Sequence, residues 1–315
     1  MLSRVANSLF WIARYIERAE NAARIIDVTF NLNLLPSLRK NSSDLWYPAL
    51  EITGMHETYP GDIKKGKDQN FIAYMVFDQT NPSSIFTSIK MARDNALQVR
   101  SSLSTETWQT INNFWIELNN LKPNQVIKSS VLEFCEWIKN ESHLFRGSVI
   151  STLLRDDAYF FLRLGTSIER SDNTARLLDV KYHLLLPKSE QVGGALDYYE
   201  WNSILRSVSA LEAYQKIYKQ GITPWNVVEL LILNKDMPRS LFMCYNDILM
   251  ILESLIQNKR RLSLTHIRRE TKKLNQMTIS KIYQKGLHEF LTDFIDDNIY
   301  LSNLIHHDFM SNEIR

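Results

Sequence analysis

The chain has 315 residues, with 37 basic and 35 acidic side chains and a formal charge of +2, so it carries no net field that would draw it to nucleic acid or an anionic membrane. Its 9 glycines and 8 prolines fall below the average usage of about 7% and 5%, too few turn formers for a fold of many short strands. That length can bury a substantial core without staples, and Cys135 and Cys244 lie in apolar stretches with neither a Cys-x-x-Cys pair nor histidines at ligand spacing, as expected of buried thiols in a reducing compartment.

From the start of the chain, the apolar run is cut by Arg14 and Glu17 before it reaches the length of a signal sequence, and no stretch approaches 18 uncharged apolar residues. A cytoplasmic protein is expected. Leu9, Ile12, Ile16, Ala19, Ala23, Ile26 and Phe30 recur at steps of three and four, which predicts one long helix from Leu2 to about Leu35, stopped by Pro36. Residues 54–70, with Gly54, Pro60, Gly61 and Gly66, read as a loop. A second long helix is predicted from about Ser148 to Leu186, ended by Pro187.

The two long helices share more than a period. Residues 16–32 read IERAENAARIIDVTFNL and residues 168–184 read IERSDNTARLLDVKYHL, an offset of 152 (169 minus 17). Further matches follow in the same order: Trp46, Leu50 and Tyr59 correspond to Trp201, Leu205 and Tyr214 at offset 155, and Pro82-Ser-Ser-Ile-Phe to Pro238-Arg-Ser-Leu-Phe at offset 156. A slowly growing offset is what small loop insertions produce. The expectation is an all-α fold, a single compact domain over 1–315 made of two diverged helical-bundle repeats, 1–146 and 147–315. Trp46 and Trp201 are most simply core anchors.

On a helical wheel Glu17, Glu20, Asn21, Arg24 and Asp27 fall within an arc of about 120°, and Glu169, Asp172, Asn173, Arg176 and Asp179 do the same. Solvated pairs three or four apart contribute only about 0.2–0.5 kcal/mol, so retention of Glu, Asn, Arg and Asp in both copies points to specific partners. Three readings stay open. The stripes can form a structural ion-pair network with Arg18 and Arg170 as further forks, or a recognition groove whose arginines hold a carboxylate or phosphate. The third reading, a bimetal carboxylate site, lacks the usual Glu-x-x-His pairs and has Arg24 and Arg176 on the same arc to repel a cation. No metal and no cofactor are expected.

Elsewhere, Arg93, Asn95 and Arg100, followed by Glu106 and Trp108, echo the order of the stripe residues and are the candidate lining of any groove, together with His183 one turn beyond Asp179. The run from Lys259 to Lys273 has seven basic residues against Glu270, a local +6; it reads as a solvated helix end, with docking to an acidic protein as the alternative. His306 and His307 are adjacent and diverge on a helix. There is no nucleophile elbow, phosphate loop, metalloprotease motif or dinucleotide fingerprint, so no catalytic residue is assigned.

These residues resemble the alpha-E proteins, a bacterial all-helical family named for a Glu-Arg motif, matched by Glu17-Arg18 and Glu169-Arg170. The likeness runs almost end to end, through Ala92-Arg-Asp-Asn95, Ser104-Thr-Glu-Thr-Trp108, Thr152-Leu-Leu-Arg-Asp-Asp, Leu162-Arg-Leu-Gly165 and the segment from Trp201 to Tyr214. The resemblance implies a companion role beside a circularly permuted ATP-grasp ligase, here a separate protein, with a transglutaminase-like protease and a proteasome-like peptidase as further associates. The expected function is thus a non-catalytic accessory or scaffold of a peptide-ligase system, binding a peptide or the ligase through the stripes. The alternative is an enzyme acting on a peptide or amino-acid conjugate with Glu17 and Glu169 as acid-base groups. Neither nucleic acid nor membrane is an expected partner.

Overall fold

The structure, a computed structural model, describes residues 1–33, 42–62, 66–129, 131–184, 195–256 and 261–311. Among the described residues there are fifteen α-helices and no strand, the all-α class expected from the scarcity of Gly and Pro. No described helix is long and apolar enough to cross a membrane. The helices fall into two compact units, Met1–Thr166 and Ser167–Arg315, so the division lies inside a helix and beyond residue 146, where the sequence matches begin to repeat.

The first unit contains α1 (Ser3–Asn33), α2 (Ser42–Ile52), α3 (Asp68–Val76), α4 (Ile85–Gln98), a 3-10 turn at Arg100–Ser102, α5 (Thr105–Asn120), α6 (Pro123–Ser129), α7 (Val131–Thr152) and the start of α8 (Asp157–Leu184). Helix α1 packs against α4 and α7, and α5 packs against the same two. The apolar stripe expected on α1 is the reason: Leu9, Ile12, Ile16, Ala19, Ala23 and Ile26 are all buried. Gly165 allows α8 to approach α1 closely, because a Cβ there would stand 2.2 Å from the Phe10 carbonyl oxygen. The predicted loop after Gly54 is non-helical in its described residues until α3 begins at Asp68.

The second unit holds the remainder of α8, α9 (Ala195–Ser207), α10 (Leu211–Ile217), α11 (Pro224–Ile232), α12 (Leu241–Leu255), α13 (Leu262–Asn275), α14 (Ile279–Lys285) and α15 (Leu287–Phe309). Helix α13 packs against α12 and α15, and α14 against α11 and α15. Thr223, Ser240 and Thr278 cap the starts of α11, α12 and α14 with their hydroxyl oxygens, satisfying amides that the first turn leaves without partners.

Turn geometry recurs between the units at the offsets of the sequence matches. Helix α2 ends in a left-handed residue, Gly54 at φ 68°, and α9 ends in Ser209 at φ 50°; the amides that follow, Met55 and Ala210, donate to Leu50 O and Leu205 O, both at 2.7 Å. Ser84 caps α4 by accepting from Thr87 N at 3.2 Å, and Ser240 caps α12 by accepting from Met243 N at 3.0 Å. The loops before these caps also correspond. The amides of Asp78 and Asn234 close the preceding helices on Ala73 O and Glu229 O, both at 3.2 Å.

Gly54 and Gly165 are required for different reasons, and substitutions separate them. A Cβ at Gly54 meets no atom within 4 Å, so Gly54→Ala is expected to cost about 1–2 kcal/mol through its left-handed backbone alone, and Gly54→Asn less. Gly165→Ala collides with backbone and is expected to cost about 1–3 kcal/mol, and Gly165→Asn more. Denaturant unfolding of the four variants would check both orders.

Candidate functional site

The stripe on α1 is met by a second stripe, on a helix to which the sequence reading assigned no role. Helix α7 carries Lys139, His143 and Arg146 at steps of four and three, one face of a helix, and that face lies along α1 with the two chains antiparallel. Arg146 Nη1 donates to Glu17 Oε2 at 3.0 Å and makes a short contact to Glu20 Oε2. Arg24 grips the other oxygen of Glu20 through Nε at 2.8 Å and Nη2 at 2.7 Å. His143 Nε2 stands 3.5 Å from Arg24 Nη2 and 3.8 Å from Glu20 Oε1. At the far end Lys139 Nζ reaches Asp27 Oδ2 at 2.9 Å and Glu136 Oε2 at 2.6 Å, while Asn31 donates to Asp27 Oδ1.

Burial gives this network its weight. The side chains of Glu17 and Glu20 are 1% and 0% exposed, and Asn21 and Arg24 are buried beside them, whereas Arg18 and Asp27 are half-buried. Arg18 lies over the ring of Tyr15 at 5.7 Å. Carboxylates withdrawn from water carry a desolvation penalty of several kcal/mol, offset only where charged partners and hydrogen bonds are complete. At the wetter end, the hydrogen bond from Lys139 holds the Glu136 carboxyl below its usual range. Burial opposes the charge of Lys139, but Glu136 and Asp27 together raise its pKa. Burial also pushes the neighbouring Cys135 thiol up.

The stripe on α8 is built differently. Glu169 is buried, but Arg170, Asp172, Asn173, Arg176 and Asp179 are only half-buried. Arg176 Nε donates to Asp172 Oδ2 at 2.7 Å one turn away, with 34% of the arginine side chain exposed. From α15, His288 Nδ1 meets Asp179 Oδ1 at 2.6 Å, and Asn298 accepts from Ser171 at 3.1 Å and donates to Ile168 O at 3.2 Å. Helix α15 contains neither Lys nor Arg, so the cationic stripe that α7 offers α1 has no counterpart there. The side chain of His183 lies outside the described residues.

The other candidates are engaged on their own segments. Asn95 donates to Met91 O at 2.8 Å within α4, and Arg93 stands 3.5 Å from Asp94. Arg100 covers the Trp108 ring at 5.2 Å. Glu106 is exposed in the first turn of α5, where a carboxylate faces the positive end of the helix. Trp46 is fully buried and stacked on Phe71 at 5.9 Å, and Trp201 is buried too.

Arg146→Met leaves Glu17 and Glu20 facing each other with Arg24 as their remaining cation among these residues, and is expected to cost about 3–5 kcal/mol in unfolding free energy. Lys139→Met, at the half-exposed end, is expected to cost less. The pH dependence of that end follows from its two shifts. The depressed Glu136 contributes stability above the ordinary glutamate range that is lost as pH falls through its folded value. The raised Lys139 contributes stability below the ordinary lysine value that is lost as pH rises through its folded value. Lys139→Met should therefore remove stability between these limits and flatten the profile at both, as measured by thermal unfolding across the acid and alkaline limbs.

Residues 1–310 match a protein family called Alpha-E, described as a predicted alpha-helical domain with a conserved ER motif. No curated protein and no solved structure matches the chain. The sequence reads Glu-Arg at Glu17-Arg18 and Glu169-Arg170, in both cases a buried glutamate before a half-buried arginine on a long helix. The match spans nearly the whole length, both helices with their stripes included, and the chain belongs to the Alpha-E family.

Proposed function

We propose that the chain is a non-catalytic helical accessory protein of a peptide-ligase system in the cytoplasm, working beside a separate ATP-grasp ligase. The observation that carries this reading is the unequal burial of the two stripes. On α1 the carboxylates of Glu17 and Glu20 are sealed and held by Arg146 and Arg24, an arrangement suited to fixing one helix against another. General acid-base work needs a carboxylate within hydrogen-bond reach of a substrate, and these two are committed to guanidinium groups inside the fold.

On α8 Glu169 is buried too, but the rest of the stripe is only half-buried. Alternating Arg170, Asp172, Asn173, Arg176 and Asp179 present both signs of charge and amide donors over about three turns, a face suited to a polar, mixed-charge surface of a protein partner or to an extended peptide. In this reading the first stripe builds the scaffold and the second docks the ligase or its peptide. Partly exposed charges of this kind act chiefly on association rate and specificity.

The test is co-purification with the circularly permuted ATP-grasp ligase of the same genome, at two salt concentrations. Arg176→Glu is expected to weaken the complex at least tenfold while lowering the melting temperature far less than Arg146→Met does. Absence of a complex at tens of micromolar, or a complex indifferent to Arg176→Glu, would overturn the reading. Turnover of peptide conjugates by the isolated chain, abolished by Glu169→Gln, would favour the acid-base alternative.

A further inference from the structure

Helix α13 lies within the basic run that ends at Lys273, yet its inner face is not basic. Ser263, Leu264, His266, Ile267, Thr271 and Leu274 are buried, and Glu270 lies one turn beyond His266 on the side facing α15. There it meets Asp297. Among the described residues, His266, Glu270 and Asp297 each offer one ligand atom, and these atoms all lie within 4.8 Å of one another.

Two observations separate this group from an ordinary ion-pair cluster. The first is that His266, 7% exposed, has a buried Nε2 without a hydrogen bond, although Asp297 Oδ1 stands 2.9 Å away. A nitrogen and a carboxylate oxygen that come so near without a hydrogen-bonding direction have the spacing of two ligands on adjacent corners of one cation. In an octahedron with bonds of about 2.1 Å, adjacent donors lie about 3 Å apart. The second is the support behind the carboxylate. Tyr245 donates to Asp297 Oδ2 at 3.3 Å, which orients Oδ1 toward His266, as outer-shell donors do at metal sites.

We propose that His266, Glu270 and Asp297 form a binding site for a divalent first-row transition ion. One imidazole and two carboxylates suit Zn²⁺ or Co²⁺ better than Mg²⁺ or Ca²⁺, and their two negative charges match the dication. Part of the coordination sphere stays open to water, since Asp297 is 25% exposed.

The protein's own cations compete for this site. Arg269 Nε donates to Glu270 Oε1 at 2.6 Å, Lys273 Nζ reaches the same oxygen at 2.7 Å, and Arg269 Nη2 lies 3.1 Å from His266 Nδ1. Ligation through Nε2 places the ring proton on Nδ1, which a guanidinium cannot accept, so the metal and this pose of Arg269 exclude each other. The side chains of Arg269 and Lys273 are 62% and 58% exposed, and they can swing into water.

Titration of the full chain with Co²⁺, followed by its visible absorption, and with Zn²⁺ by calorimetry, tests the site. One ion per chain is expected, with Glu270→Gln and Asp297→Asn each weakening binding at least tenfold. Arg269→Ala should tighten it several-fold. Arg268→Ala, which makes the same charge change but removes a pair with Glu253, should leave it unaltered. No stoichiometric binding at tens of micromolar, binding that survives in folded Glu270→Gln, or equal effects of the two arginine variants would overturn the proposal.

Discussion

The first unit depends on two buried glutamates that cannot be left without cations. Glu17 and Glu20 lie on the face that α1 turns toward α7, where full burial would be unfavourable by several kcal/mol per charge were Arg146 and Arg24 absent. The antiparallel course of α7, its register against α1 and the place of His143 and Lys139 all follow from satisfying that face. An apolar seam tolerates sliding by a turn more readily than a charged one, because each shift would strand a carboxylate. The network thus specifies which contact forms, while Leu9, Ile12, Ile16 and Ile26 supply most of the burial behind it.

In the second unit the similar stripe on α8 meets a helix, α15, that has neither Lys nor Arg. Helix α15 brings His288 and Asn298 to α8, where they meet Asp179, Ser171 and the Ile168 carbonyl. Arg170, Asp172, Asn173, Arg176 and Asp179 are left half-buried, nearer to water than Glu17, Glu20, Asn21 and Arg24. Near-identical residue patterns on two helices thereby meet different surroundings, set by the segments that pack against each. Helix α13 shows the same principle in a basic segment, since His266 is buried and Glu270 half-buried, whereas Arg268, Arg269 and Lys273 face solvent.

Several features are legible in the amino-acid sequence. The steps of three and four in α1 locate its buried face and the Gly-rich segment after residue 54 gives a non-helical stretch in its described residues, because each is a local property of the backbone or of one helix surface; the stop expected at Pro36 lies outside the described residues. The caps at Ser84 and Ser240 fall in the matched segments Pro82-Ser-Ser-Ile-Phe and Pro238-Arg-Ser-Leu-Phe, but their capping role is seen only in the structure. The basic face of α7 is also present in the sequence, with Lys139, His143 and Arg146 at the spacing of an acidic stripe. It does not stand out there, because nothing local says which of many helices will lie alongside α1.

Periodicity and composition determined the all-helical class and the polar faces of α1 and α8, since those depend on residues a few positions apart. Which charges are buried, which cations neutralise them and which histidine meets which carboxylate were decided only by tertiary structure. Glu17 and Arg146 are 129 residues apart, and Glu270 and Asp297 are brought together by the packing of α13 on α15. The energy of a charged group is set by the dielectric and the partners around it, and both come from segments distant in the chain.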